Sequence, residues 1–148
     1  MKQLLKKILG ERAPQAPQAQ AEALSVAQLL LEIARADLST EPAELAAIRS
    51  HLQNAYALAD AELDEVMARA ADNVERSISM ADSLKHVNQA LDPQRKAQLM
   101  RALWQVAFAD GHIDVHEEAM LRRLADLLYV PHSVFIREKL GVIDGEHG

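Results

Sequence analysis

The sequence predicts an all-α protein, a compact bundle of about seven helices made of two tandem three-helix repeats and a linking helix. Three observations carry this. The 148 residues are 49% apolar and only 3% aromatic, with five Gly and five Pro, too few turn-formers for a chain of many short strands. Ala and Leu dominate instead, which favours helices. Apolar residues then recur at helical spacing through most of the chain, and the chain repeats itself at an offset of 73 residues.

The elements follow in order. Residues 1–9 read as a short amphipathic helix, with Leu4, Leu5, Ile8 and Leu9 on one side and Lys2, Lys6 and Lys7 around the other. Nine residues alone are marginal as a helix. The segment reads either as a frayed terminus or as an arm for an anionic membrane surface or a partner. Residues 10–20, GERAPQAPQAQ, have two prolines and no apolar periodicity, the mark of a linker. Residues 1–20 are thus a basic segment and linker, 21–141 the helical domain and 142–148 a tail.

Leu24, Ala27, Leu31 and Ala34 predict a first helix over about 21–36. Glu41-Pro42 opens a second, with Pro at the first helical position. A third follows Asp60 as N-cap, carrying Leu63, Val66, Met67 and Ala70. A fourth covers about 79–91. Asp92-Pro93 opens the fifth with a capping acid, and its apolar side carries Met100, Leu103, Ala107 and Phe108. Trp104 reads as core on that side. Asp114 with Glu117 makes a capping-box pair for the sixth. The seventh follows Pro131 and stops at Gly141.

The offset of 73 lays Ala34-Arg35-Ala36-Asp37 over Ala107-Phe108-Ala109-Asp110 and, without a gap, Glu44 over Glu117, Arg49 over Arg122 and Tyr56 over Tyr129. Each unit is helix, acidic turn, helix, short turn, helix.

Net charge excludes some functions. The chain carries −6, but residues 1–12 hold about +3, so the remainder holds about −9. A duplex reader needs a basic face, and single-strand binding by stacking needs aromatics; no nucleic-acid partner is expected. The absence of cysteine excludes disulfides, thiolate zinc sites and a Cys nucleophile. No stretch approaches the roughly 20 apolar residues of a membrane span, and no secretory signal is present, so a cytoplasmic protein is expected. No Gly-x-Ser-x-Gly elbow or Gly-rich phosphate loop occurs, and no enzyme is expected.

The most informative stretch is ADGHIDVHEE at 109–118. It shares the second half of an EF-hand loop, but the early ligand positions would be Val106 and Phe108, which cannot hold calcium. The acids read two ways. Asp110, Asp114 and Glu117, with Asp37, Glu41 and Glu44 of the first repeat, can form an all-oxygen site for Ca²⁺, Mg²⁺ or Mn²⁺. Alternatively Asp110 bonds to its own turn, Gly111 supplies a positive φ, and Asp114 and Glu117 cap the next helix. His112 and His116 read as solvated turn residues, because His112 precedes the cap. Arg122, Arg123, Arg137 and Lys139 read either as a docking cluster for an anionic surface or as salt-bridge partners of Glu118, Asp126 and Glu138.

The Ala-Asp-Gly turn at 109–111 with Asp114 and Glu117, the run RRLADLL at 122–128 and the ending VPHSVFIREKL at 130–140 resemble the tellurite-resistance TerB family of small all-helical bacterial proteins. The resemblance covers about 24–141. It departs at Leu38, where the family has Gly after the acid. It implies an all-α bundle, cytoplasmic or at the inner membrane face. It also implies a link to tellurite and related stress, and a metal-binding role for the shared acids.

Overall fold

Apolar side chains lie on every face of residues 23–34, the pattern of a helix enclosed by others rather than laid on a surface. The computed structural model, which describes residues 16–36 and 41–147, has that form. The described residues hold seven helices and no strand: α1 (Ala16–Ala34), α2 (Pro42–Tyr56), α3 (Asp60–Glu75), α4 (Ala81–Ala90), α5 (Pro93–Ala107), α6 (Val115–Leu127) and α7 (His132–His147). Helix α1 packs against α2, α3, α4, α5 and α6. Helix α5 is the second centre, in contact with α1, α2, α6 and α7.

Because α1 is enclosed, its polar side chains must find partners on the helices around it. Gln20 donates to Glu62 of α3 at 2.6 Å, and Asn73 of α3 donates to Gln28 at 3.0 Å. Ser25 lies 2.9 Å from His86 Nδ1 of α4. Glu22, buried, takes the guanidinium of Arg95 on α5 through both carboxylate oxygens. Each pair fixes one neighbour's rotation and height against the central helix.

Starts and stops follow local chemistry. Pro42 and Pro93 open α2 and α5 at the position where a missing N–H costs nothing. Asp92 Oδ1 accepts from the Arg95 amide at 2.8 Å. Helix α6 ends with Val130 N–H on Ala125 O at 2.8 Å, which turns Tyr129 into the left-handed region at φ 59°.

Three boundaries differ from expectation. Helix α1 starts at Ala16, inside the expected linker, because Ala19 is buried and Gln20 is bonded to α3; Pro17 is tolerated in the first turn. Ala59 rather than Asp60 is the N-cap of α3, its amide held by Glu62 Oε1 at 3.1 Å. Gly141 does not end the last helix. Helix α7 continues through the expected tail to His147, since Val142 is buried and Arg101 closes over Gly141, donating to its carbonyl at 3.4 Å. A Cβ there would meet the Arg101 guanidinium at 3.3 Å. The segment at 1–9 and most of the linker lie outside the described residues.

Trp104 is fully enclosed, as its helix face predicts. Its Nε1 donates to Phe135 O at 3.1 Å, and the two rings meet tilted at 43° with centroids 4.9 Å apart, tying α5 to α7. Trp104→Ala is expected to cost about 3–5 kcal/mol in chemical denaturation. A cost near zero would mean that the α5–α7 contact does not depend on the indole.

Candidate functional site

The second acidic turn joins α5 to α6. Gly111 has φ +96°, with nothing near the place a Cβ would take, so the requirement for glycine there is conformational. Asp110 Oδ1 accepts from the His112 amide at 3.3 Å, and its Oδ2 lies 3.7 Å from His112 Nε2. Asp114 is the N-cap of α6 and accepts from the His116 amide at 3.0 Å. Glu117, three residues on, reaches back to the Asp114 amide at 3.3 Å and is only 3% exposed. All three carboxylates are therefore engaged by backbone N–H groups of their own turn or of the helix start that follows. His112 and His116 are exposed.

The first acidic turn joins α1 to α2. Asp37 lies outside the described residues. Glu41 is the exposed N-cap of α2, and Glu44 accepts from its amide at 2.9 Å while being 3% exposed. Glu44 and Glu117 thus occupy the same third position of their helices and close the same loop onto the cap residue. Among the described residues no three His, Asp or Glu side chains come together in a group that could hold a metal ion.

The four basic candidates split. Lys139 bonds to Glu118 of α6 at 3.0 Å, and its ammonium sits 5.4 Å from the centre of the Trp104 ring. Arg137 pairs with its neighbour Glu138 at 3.0 Å. Arg122 lies 5.9 Å from the centre of the Phe135 ring. Arg123 is exposed. Lys139 and Arg122 therefore flank the tilted Trp104–Phe135 ring pair, a packing role that helical spacing alone does not reveal. The ion pairs that these four residues form run between helices, at Lys139, and between chain neighbours, at Arg137.

Two further clusters escaped the sequence reading. Glu22, Arg95 and Tyr56 form a partly buried network, with Arg95 Nη2 3.5 Å from the Tyr56 hydroxyl. Burial, then the hydrogen bond to Glu22, pushes the Tyr56 hydroxyl far above its ordinary range. The hydrogen bond to Glu22 also raises the Arg95 guanidinium. A signal was present: Glu22 and Arg95 are 73 residues apart, the repeat offset itself.

The other cluster surrounds Tyr129. This residue aligns with Tyr56 yet stands 78% exposed, its ring 5.5 Å from the Lys96 ammonium. Beside it a groove of about 320 Å³ runs between α5 and the α6–α7 connection, lined by Pro93, Ala97, Val130, Pro131 and Val134. A bulky side chain in the left-handed region is strained by roughly 1 kcal/mol or more. Here that strain turns an aromatic ring outward.

No described helix is long and apolar enough to cross a membrane. The helical bundle is the class that fold and surface define. In a solved structure of a protein of unknown function from Porphyromonas gingivalis W83, the same fold appears with a TM-score of 0.63 at 19% identity. The match covers 86% of this chain and 95% of that one. No curated protein matches this chain. The family model described as tellurite resistance protein TerB matches residues 23–140, and the chain belongs to that family.

Two outcomes follow from this geometry. Glu117→Ala should cost about 0.5–2 kcal/mol through loss of the cap, read by denaturation without added metal; an unchanged midpoint would show that the cap contributes nothing. Glu32 on α1 supplies a pH test. Burial raises its carboxyl above the ordinary 4.5, and Arg35 opposes this only in part. A raised carboxyl favours the fold at low pH, and that contribution is lost as pH rises through the folded value. Glu32→Gln should therefore stabilise the protein at pH 7, and the gain should vanish below about pH 4. A gain constant across pH would place its origin elsewhere.

Proposed function

We propose that this chain is a non-enzymatic docking domain acting in tellurite-type stress resistance, and that its contact surface is the groove around Tyr129. One observation carries the reading. Of two aligned tyrosines, Tyr56 is half-buried in a charged network, while Tyr129, on a left-handed backbone, stands exposed beside an apolar groove. Strain of this kind persists where the surrounding structure imposes it, and it clusters at sites of contact. Among the described acids, Glu44, Asp114 and Glu117 bind amides at helix starts, and Asp110 binds its own turn. The proposed setting is the cytoplasm, with a protein partner or the inner membrane face as the docking surface.

A second reading keeps Asp110, Asp114 and Glu117 with Asp37, Glu41 and Glu44 as ligands of Ca²⁺, Mg²⁺ or Mn²⁺. What favours it is the burial of two carboxylates, Glu44 and Glu117, at matching positions of two acidic turns. A cation would offset that burial.

Tyr129→Gly tests the docking reading, because it separates stability from function. Glycine relieves the left-handed strain, so the melting midpoint should hold or rise, by up to about 1 kcal/mol in stability. In a strain whose tellurite tolerance depends on this chain, tolerance should nonetheless fall. Full tolerance with a stable Tyr129→Gly protein would remove this surface from the function.

A further inference from the structure

Where α1 begins, a groove of about 270 Å³ opens between it and α3. Pro17, Ala21 and Leu24 of α1 and Val66 of α3 supply its apolar lining, and Glu62 and Glu65 stand with them. Helix α3 carries Asp60, Glu62, Asp64, Glu65, Asp72 and Glu75 against Arg69; Arg49 pairs with Asp60 and Asp64, Arg76 pairs with Asp72, and Glu62, Glu65 and Arg69 line the groove. The segment that precedes the described residues has the complementary pattern. Lys2, Lys6 and Lys7 accompany Leu4, Leu5, Ile8 and Leu9 within nine residues.

We propose that the groove between α1 and α3 is the docking site for this chain's own residues 1–9. The leucines and Ile8 cover Ala21, Leu24 and Val66, and the lysines face Glu62 and Glu65. Reach is sufficient. Six residues, 10–15, separate the segment from the start of α1, and six extended residues span roughly 20 Å. The groove itself begins at Pro17, the second residue of that helix. Affinity need not be high, since a short tether holds the segment at an effective concentration on the order of millimolar. Charge adds direction: a basic segment beside the acidic helix is attracted within a screening length of about 10 Å at 0.1 M salt. The docked segment covers an apolar groove and returns its lysines from solvent to the domain's acidic face. This inference is independent of the role assigned to Tyr129.

The chain has no cysteine, so Gln3→Cys gives a single place for a nitroxide on the full-length protein. At low salt, amide signals of residues 18–24 and 62–69 should broaden strongly, and those of residues 115–127 should not. Glu65→Lys, a substitution at an exposed position, should reduce the broadening by at least half, and 0.5 M NaCl should do the same. Uniform or absent broadening overturns the proposal, as does broadening centred on the Tyr129 groove. So does an α3 signal indifferent to Glu65→Lys. A segment that leaves α3 unbroadened in the free chain but binds phosphatidylglycerol vesicles is a membrane arm, which also overturns it.

Discussion

A helix enclosed on all sides can keep polar side chains only if its neighbours answer each one. Helix α1 meets this condition four times along its length, at Gln20, Glu22, Ser25 and Gln28, with partners on α3, α5 and α4. Leu29, Leu30 and Ile33 supply the non-directional attraction that gathers the bundle. The four polar contacts decide how the gathered helices are turned. A bundle of alanine and leucine faces has many near-equivalent packings, and directional pairs separate one from the rest. Breaking Glu22–Arg95 from one side would leave a charge with little water, so this pair is among the costliest to disturb.

This arrangement explains which parts of the fold were legible in the sequence. Helix existence was legible, because Leu, Ala and Met recur at helical spacing and Pro42, Asp92-Pro93 and Asp114 mark starts. The enclosure of α1 was not, because a single stripe of Leu24, Ala27, Leu31 and Ala34 accounts for an ordinary surface helix. Val26, Leu29, Leu30 and Ile33 on its other faces held the missing information. The outer ends of the first and last helices differ from expectation for a related reason. Pro17 and Gly141 are breakers by local propensity, and tertiary contacts at Ala19, Arg101 and Val142 override them.

At the candidate site the residues were legible and their use was not. The sequence supplies acids at the spacing of a capping box, and the same acids at the spacing of a cation site. In the described part of the fold, Glu44 and Glu117 turn inward to close on the cap amides, while Asp110 and Asp114 bind the turn that carries them. These backbone amides give each of the four carboxylates a hydrogen-bond donor. Lys139 and Arg122 were legible as charges, but their place beside the Trp104–Phe135 ring pair depends on how α6 and α7 meet. Tyr129 was visible only as one half of an aligned pair. Its left-handed backbone follows from the bond between Val130 and Ala125, which no pattern of side chains encodes.

The described acids serve the fold as helix caps and turn bonds, and we propose that the function lies on the surface around Tyr129 rather than on a bound cation. Titration of the full chain with Ca²⁺, Mg²⁺ and Mn²⁺ to millimolar levels, followed through the amide resonances of residues 110–117 and the melting temperature, tests it most directly. Ligands that bind the native state raise the melting temperature as their concentration passes Kd. If the carboxylates serve as caps, those resonances and the melting temperature stay where they are. A saturable shift at 110–117 with a rise in melting temperature, both lost in Asp110→Asn, would contradict the account and establish a metal site.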